Sequence, residues 1–167
     1  VCGTDELGRD ILTRIVNGGK VTMTVGAISV IIELIIGIIL GGLAGYFGGW
    51  VDNIIMRISE VVGGLPFLPF SMILSAIIGT RITVEQRMYL IMVVLGVLSW
   101  PSICHLIRAQ IFSQREQEYV TAAKAMGVKE SKIAFKHILP NVISVILVSV
   151  TLDFAGCMLT ESSLSYL

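Results

Sequence analysis

Long uncharged stretches divide this chain. Leu34–Val51 runs 18 residues without a charge, Val61–Thr80 runs 20, and Met88–Ile107 runs another 20 interrupted only by His105. Ile138–Thr160 carries a single charge, Asp153. A helix covers the hydrocarbon core of a bilayer in about 20 residues. The pattern therefore predicts four spanning helices, at about 24–46, 61–80, 88–107 and 138–160. Because the runs are continuously apolar, the alternation of a membrane β-barrel is excluded. The expected fold class is all-α, a polytopic membrane helical bundle.

Residues 1–20 read differently. Leu7, Ile11 and Ile15 recur every four positions, Leu12 and Val16 lie beside them, and charges fill the gaps. This spacing predicts a short amphipathic helix on the membrane surface, stopped by Asn17-Gly18-Gly19. A solvent-exposed linker fits the spacing equally well. The stretch lacks the apolar core of a secretory signal. Within the first span, Gly37, Gly41, Gly45 and Gly49 repeat every four residues and form one stripe, which suits close helix packing or a pore lining. Packing is favoured by the fourfold repetition. Pro66, Pro69 and Pro101 fall inside spans and are expected to kink or interrupt them. Glu33, Asp153 and Glu161 lie in or beside apolar runs, where a charge needs a cavity or a partner. No chain of His or Lys accompanies them, so structural pairing or interfacial placement is favoured over a proton relay.

Composition agrees. The chain of 167 residues is 54% hydrophobic and 14% charged, against about 25% charged in soluble domains, and its mean hydropathy is +0.87. The 12 basic and 12 acidic residues cancel. This excludes a disordered chain and argues against a nucleic-acid module. Cys2, Cys104 and Cys157 are too scattered for a disulfide framework or a metal knuckle. Phosphate-loop, H-E-x-x-H, C-x-x-C and G-x-S-x-G motifs are absent, and His105 and His137 are well separated. The expectation is a chain with no catalytic residue, cofactor site or metal site, and so not an enzyme.

Four spans place 1–20, 80–87 and the C-terminal end on one side, with 47–60 and 105–137 on the other. The second side carries seven Lys/Arg (Arg57, Arg108, Arg115, Lys124, Lys129, Lys132, Lys136) and the first carries five (Arg9, Arg14, Lys20, Arg81, Arg87). The positive-inside rule then makes 105–137 cytoplasmic and 1–20 external. Neutrality is thus a sum of unlike parts, because 105–137 has six basic and three acidic residues.

That basic connection is the informative one. Glu116–Met126 reads as a short helix whose apolar face is Tyr119, Ala122, Ala123 and Met126. Gly127 ends it, Lys129–Ile138 forms a second helix, and Pro140 opens the next span at a first-turn position. Two short helices meeting at a glycine suit docking into a groove of a partner, or an amphipathic pair lying on anionic lipid.

The stretch resembles the coupling loop of ATP-binding-cassette importer permeases: A-A-x-x-x-G, eleven residues, then L-P. The matching positions are Ala122, Ala123, Gly127, Leu139 and Pro140. Thr121 stands where the family has glutamate, with Glu118 one turn earlier, and His137 stands where isoleucine is common. GTDELGRDILTRIVNGGKVTMTVG (3–26), AGYFGGWVDNIIMR (44–57), HILPN (137–141) and ESSLSYL (161–167) are similar to the dipeptide, oligopeptide and nickel importers, above all to their C-type permease subunit.

The resemblance implies a type I importer permease fold, with 1–20 external, 21–167 the transmembrane domain and 108–137 the coupling loop. It implies a second permease subunit in a heterodimer, two ATPase subunits that use ATP and Mg, and an external substrate-binding protein, all embedded in or bordering membrane lipid. Coupling would fall to Glu118, Tyr119, Ala122, Ala123, Gly127, Lys132, Leu139 and Pro140. Family members have a further span before and after the matched region, so the chain is expected to be a fragment, its spans the second to fifth of six. An ATPase-independent channel or transporter, or a membrane scaffold subunit, is the alternative reading.

Overall fold

The computed structural model describes residues 3–66, 69, 70, 73, 76, 77 and 83–166. Its helices are α1 (Ile11–Phe47), α2 (Gly49–Gly63), α3 (Val84–Arg115), α4 (Glu118–Ala125), α5 (Glu130–Ile133) and α6 (Leu139–Tyr166), with a π-helical turn at Ala134–Ile138 joining the last two. No strand occurs among the described residues; one isolated bridge pairs Thr4 with Asp10. Three helices are long and apolar enough to cross a membrane, over Ile11–Phe47, Met88–Arg115 and Lys136–Ser163. The expected span 61–80 lies mostly outside the described residues.

The amino-terminal segment corrects the sequence expectation. Residues 3–10 form a turn, not a helix. The Asp5 carboxylate accepts the backbone N–H groups of Leu7 and Arg9 at 3.0 and 2.9 Å and the Arg14 guanidinium at 2.6 Å. These bonds, the Arg9 N–H foremost, hold its carboxyl below the usual range. Asp10 caps α1 by accepting from Thr13 N–H at 3.3 Å. The helix then runs through Asn17-Gly18-Gly19 without a break. Two adjacent glycines cost about 2 kcal/mol of helix propensity, which a helix of 37 residues tolerates because packing of its later turns fixes its course. At about 1.5 Å per residue α1 is about 55 Å long, well beyond the hydrocarbon thickness. Ile15 and Val16 in its first turns are exposed.

The bundle is built on α1 and α3, which lie parallel. Contacts advance in step: Ser29 Oγ donates to the Met92 carbonyl at 3.1 Å, Gly37 faces Ile103, Gly41 faces Cys104 and Ile107, and Gly45 faces Ile111. Parallel neighbours require the connection between them to carry the chain back across their length. Helix α6 runs the other way, for Gly26 meets Phe154 and Met158 and Thr22 donates to Glu161 at 2.9 Å. The starts of α1 and α3 and the end of α6 therefore share one side, as the span count requires.

Helix α2 lies in the 47–60 connection, where no element was expected. It buries Asp52, Ile55 and Ser59 along one face, and Gly48 and Gly49, at φ +64° and +53°, make the tight turn into it. The turn at Gly64 and Leu65 ends it before Pro66. Pro101, by contrast, sits inside α3 without interrupting it. It withholds one N–H from the carbonyl of Val97, a loss the long packed helix absorbs.

Candidate functional site

The segment between α3 and α6 is folded, not an open loop. Helix α3 continues to Arg115, so the start of the expected 108–137 connection is regular helix. Helix α4 follows, and its end is a Schellman motif: Val128 N–H bonds the Ala123 carbonyl at 3.1 Å, and Gly127 N–H bonds the Lys124 carbonyl at 2.9 Å. Gly127 takes φ +74°, a left-handed conformation that costs a side-chain-bearing residue about 1–2 kcal/mol. Nothing lies within 4 Å of the Cβ that another residue would add there. The backbone alone asks for glycine.

This unit is pinned to the bundle. Val120, Ala123 and Ile133 are buried in one cluster with Ile103, Ile107 and Ile111 of α3 and with Ile138, Val142 and Ile146. Tyr119 donates its hydroxyl to Gln114 Oε1 at 2.7 Å and accepts from Asn141 Nδ2 at 3.3 Å, joining the end of α3 to the start of α6. The expected apolar face of α4 is therefore divided. Ala123 points into the core, whereas Ala122 and Met126 are exposed and Tyr119 is partly so. Glu118, Lys124, Gly127, Lys132 and Pro140 are also exposed, and Leu139 is half-buried. The outer surface is thus small, apolar and basic, backed by a rigid apolar anchor.

The predicted second helix, Lys129–Ile138, is α5 plus the π turn, continuous with α6. Leu139 N–H bonds the Ala134 carbonyl five residues back. Pro140 follows immediately within that continuous helix, so it does not open a new one. Its missing N–H and its ring both disfavour regular α-helical bonding to the turn before it, and a wider π turn is one way to relieve that.

Of the glycine stripe, Gly37, Gly41 and Gly45 form the α1–α3 seam. A Cβ on Gly41 would sit 2.6 Å from the Cys104 carbonyl oxygen, and one on Gly37 2.6 Å from Ile103 Cγ2. Gly49 leaves the stripe, because α1 has ended and nothing lies within 4 Å of its Cβ position. Two glycines that no repeat marked also face neighbours: a Cβ on Gly96 of α3 would sit 2.6 Å from Ile32, and one on Gly26 of α1 3.1 Å from Phe154.

Two polar ties hold α2 to α3. Arg108 grips Asp52 with two donors, Nε and Nη2, the latter 2.6 Å from Oδ2, and its guanidinium stands 4.9 Å from the Phe112 ring centroid. His105 Nε2 lies 2.8 Å from Ser59 Oγ. Arg115 donates to the Tyr46 carbonyl at 2.8 Å, placing a cation at the negative end of α1. Sequence reasoning counted Arg108 and Arg115 as loop charges; their partners lie more than fifty residues away and no local pattern announces them. Of the acids in apolar runs, Glu161 pairs with Thr22, while Glu33 and Asp153 line a cavity.

Parallel and antiparallel apolar helices joined by a packed basic helical hairpin describe a multi-pass membrane component, and comparison with known proteins defines its class. Residues 37–167 match the family described as binding-protein-dependent transport system inner membrane component. The chain belongs to that family. It is 39% identical over 165 residues to the dipeptide transport system permease protein DppC of Bacillus subtilis, covering 99% of this chain and 50% of that protein. It is 34% identical to the oligopeptide transport system permease protein OppC of the same organism, covering 99% and 52%. With OppC of Haemophilus influenzae it is 36% identical, covering 99% and 51%. The chain spans about half the length of these curated relatives.

Proposed function

We propose that this chain is the core of a permease subunit that forms half of a translocation pathway for peptides in an ATP-driven importer. The relatives named for dipeptide and oligopeptide transport supply the substrate class. The observation that carries the mechanism is the α4–Gly127–α5 unit, with Ala122, Met126 and Lys132 outward and Val120, Ala123 and Ile133 in the core.

In this reading the exposed side docks in a groove of an ATPase subunit on the cytoplasmic side, and residues 1–20 are external. Closure of two ATPase subunits on ATP and Mg displaces the unit. Because its anchor is shared with α3 and α6, a displacement there is a displacement of the spanning helices, and the bundle shifts between two states biased by ligands at distant sites. A second permease subunit completes the pathway, and an external binding protein delivers the peptide. This chain needs no catalytic group or cofactor of its own.

Gly127→Val tests the assignment in the full-length permease, assembled with its partners in vesicles. A β-branched residue at φ +74° distorts the Schellman motif. ATP-driven uptake of labelled dialanine should fall about tenfold or more, since about 1–2 kcal/mol or more of local strain falls on the docking unit, while membrane insertion is unchanged. Gly127→Asn, which tolerates the left-handed conformation, should retain most uptake. Wild-type uptake by the valine variant would remove the coupling role.

A further inference from the structure

Glu33 is the most deeply buried acid among the described residues. It sits deep within α1 at 1% exposure, and neither carboxylate oxygen has a hydrogen-bond partner among the described residues. A native protein seldom keeps a buried acid in that condition, because a charged or polar group withdrawn from water without a partner is costly. The same residue lines a cavity of about 470 Å³ among α1, α3 and α6 that also reaches Gly63 at the end of α2.

The cavity's other polar walls are a carboxyl, hydroxyls and the Cys157 thiol. Asp153 contributes a second carboxyl from α6, and Ser99, Ser102 and Thr160 contribute hydroxyls. Thr160 directs its own O–H to the Gly156 carbonyl at 2.8 Å, leaving its oxygen free to accept. Among the described lining residues none is basic. Leu95, Leu98, Pro101 and Leu152 contribute apolar wall, and Leu152 is 69% exposed. Two acids and several acceptors in a low-dielectric pocket are compensated either by protons or by a bound positive charge. The described residues hold no group of three His, Cys, Asp or Glu placed for a metal ion. The volume is that of a small-molecule site, not of a bare ion.

We propose that this cavity binds a primary ammonium group, with Glu33 and Asp153 as its counter-charges and the hydroxyls as further acceptors. An ammonium has three donors and no acceptor, which complements these walls. Its source is the amino terminus of a peptide in transit or a lysine of an adjoining subunit; the first source rests on the importer reading above.

Carbodiimide trapping separates these. In the assembled full-length complex in lipid, a membrane-permeant carbodiimide activates Glu33 or Asp153, and an amine held against it displaces the urea and forms an amide identifiable by mass spectrometry. With dialanine present, an amide between Glu33 or Asp153 and dialanine is expected, and none with N-acetyl-dialanine. An amide to a lysine of a neighbouring subunit, formed without added peptide, supports the same site with the second source. Asp153→Asn should lower the Glu33 adduct about tenfold by removing one charge-assisted contact, and Glu33→Gln should abolish adducts at that position while the complex still assembles. Only unmodified or N-acylurea-modified carboxyls, with dialanine or without it, would overturn the proposal. Uptake of labelled dialanine by the same preparation is read separately. Adducts without ATP-driven uptake would defeat the importer reading and leave the cavity standing; uptake without adducts would do the reverse.

Discussion

At the scale of the residue, absent side chains matter as much as those present. Lipid tails are as apolar as the helices, so helix association depends on close packing. Gly41 and Gly42 are neighbours in one helix with opposite surroundings. A Cβ at Gly41 meets the Cys104 carbonyl oxygen at 2.6 Å, whereas one at Gly42 meets nothing within 4 Å. Gly41→Leu should destabilise the solubilised permease by about 1–3 kcal/mol, seen as a lower Tm and weaker co-purification with the other subunits. Gly42→Leu should stay within about 0.5 kcal/mol of wild type. Equal effects at the two positions would mean that α1 and α3 do not meet at this seam. The period-four repeat made Gly37, Gly41 and Gly45 legible in the sequence. Gly26 and Gly96 were not, because neither belongs to that repeat and the need for each is set by Phe154 or Ile32 from another helix.

Among the elements, three of the four expected spans and the α4–Gly127 turn could be read from the chain, since unbroken apolar runs and a helix-ending glycine are local signals. Helix α2 could not. Its packed face of Asp52, Ile55 and Ser59 is mostly polar, and it makes sense only once Arg108 and His105 of α3 stand opposite. Its attachment is open to direct test. Asp52→Leu alone strands the Arg108 guanidinium, and Arg108→Leu alone strands the largely buried carboxylate; each should cost about 2–4 kcal/mol. The double substitution should cost clearly less than the sum of the two, as a double-mutant cycle on unfolding would show. Additive losses would mean that the ion pair does not hold α2 in place.

For the whole molecule, the parallel course of α1 and α3 and the antiparallel course of α6 fix which ends lie together, while the sign of the membrane side rests on charge. Lys20 and Lys132 are exposed at opposite ends of the bundle. In a variant lacking Cys2, Cys104 and Cys157, Lys20→Cys should react with an impermeant maleimide in intact cells, and Lys132→Cys only after permeabilisation. The reversed pattern would invert the orientation and defeat the docking role proposed above for α4 and α5.

The π turn at Ala134–Ile138 sets a rotational phase across this whole assembly. Ile138, Val142 and Ile146 recur every four residues in one core cluster, yet the preceding member is Ile133, five residues back. The turn in effect accommodates one extra residue, and one residue of α-helix is worth about 100° of rotation and 1.5 Å of rise. Without that offset, Ile133 would swing off the core and the basic outer edge of α5 would turn with it. A single position in the chain's count thus decides which way the outer surface of α5 faces relative to the apolar half of the same continuous rod.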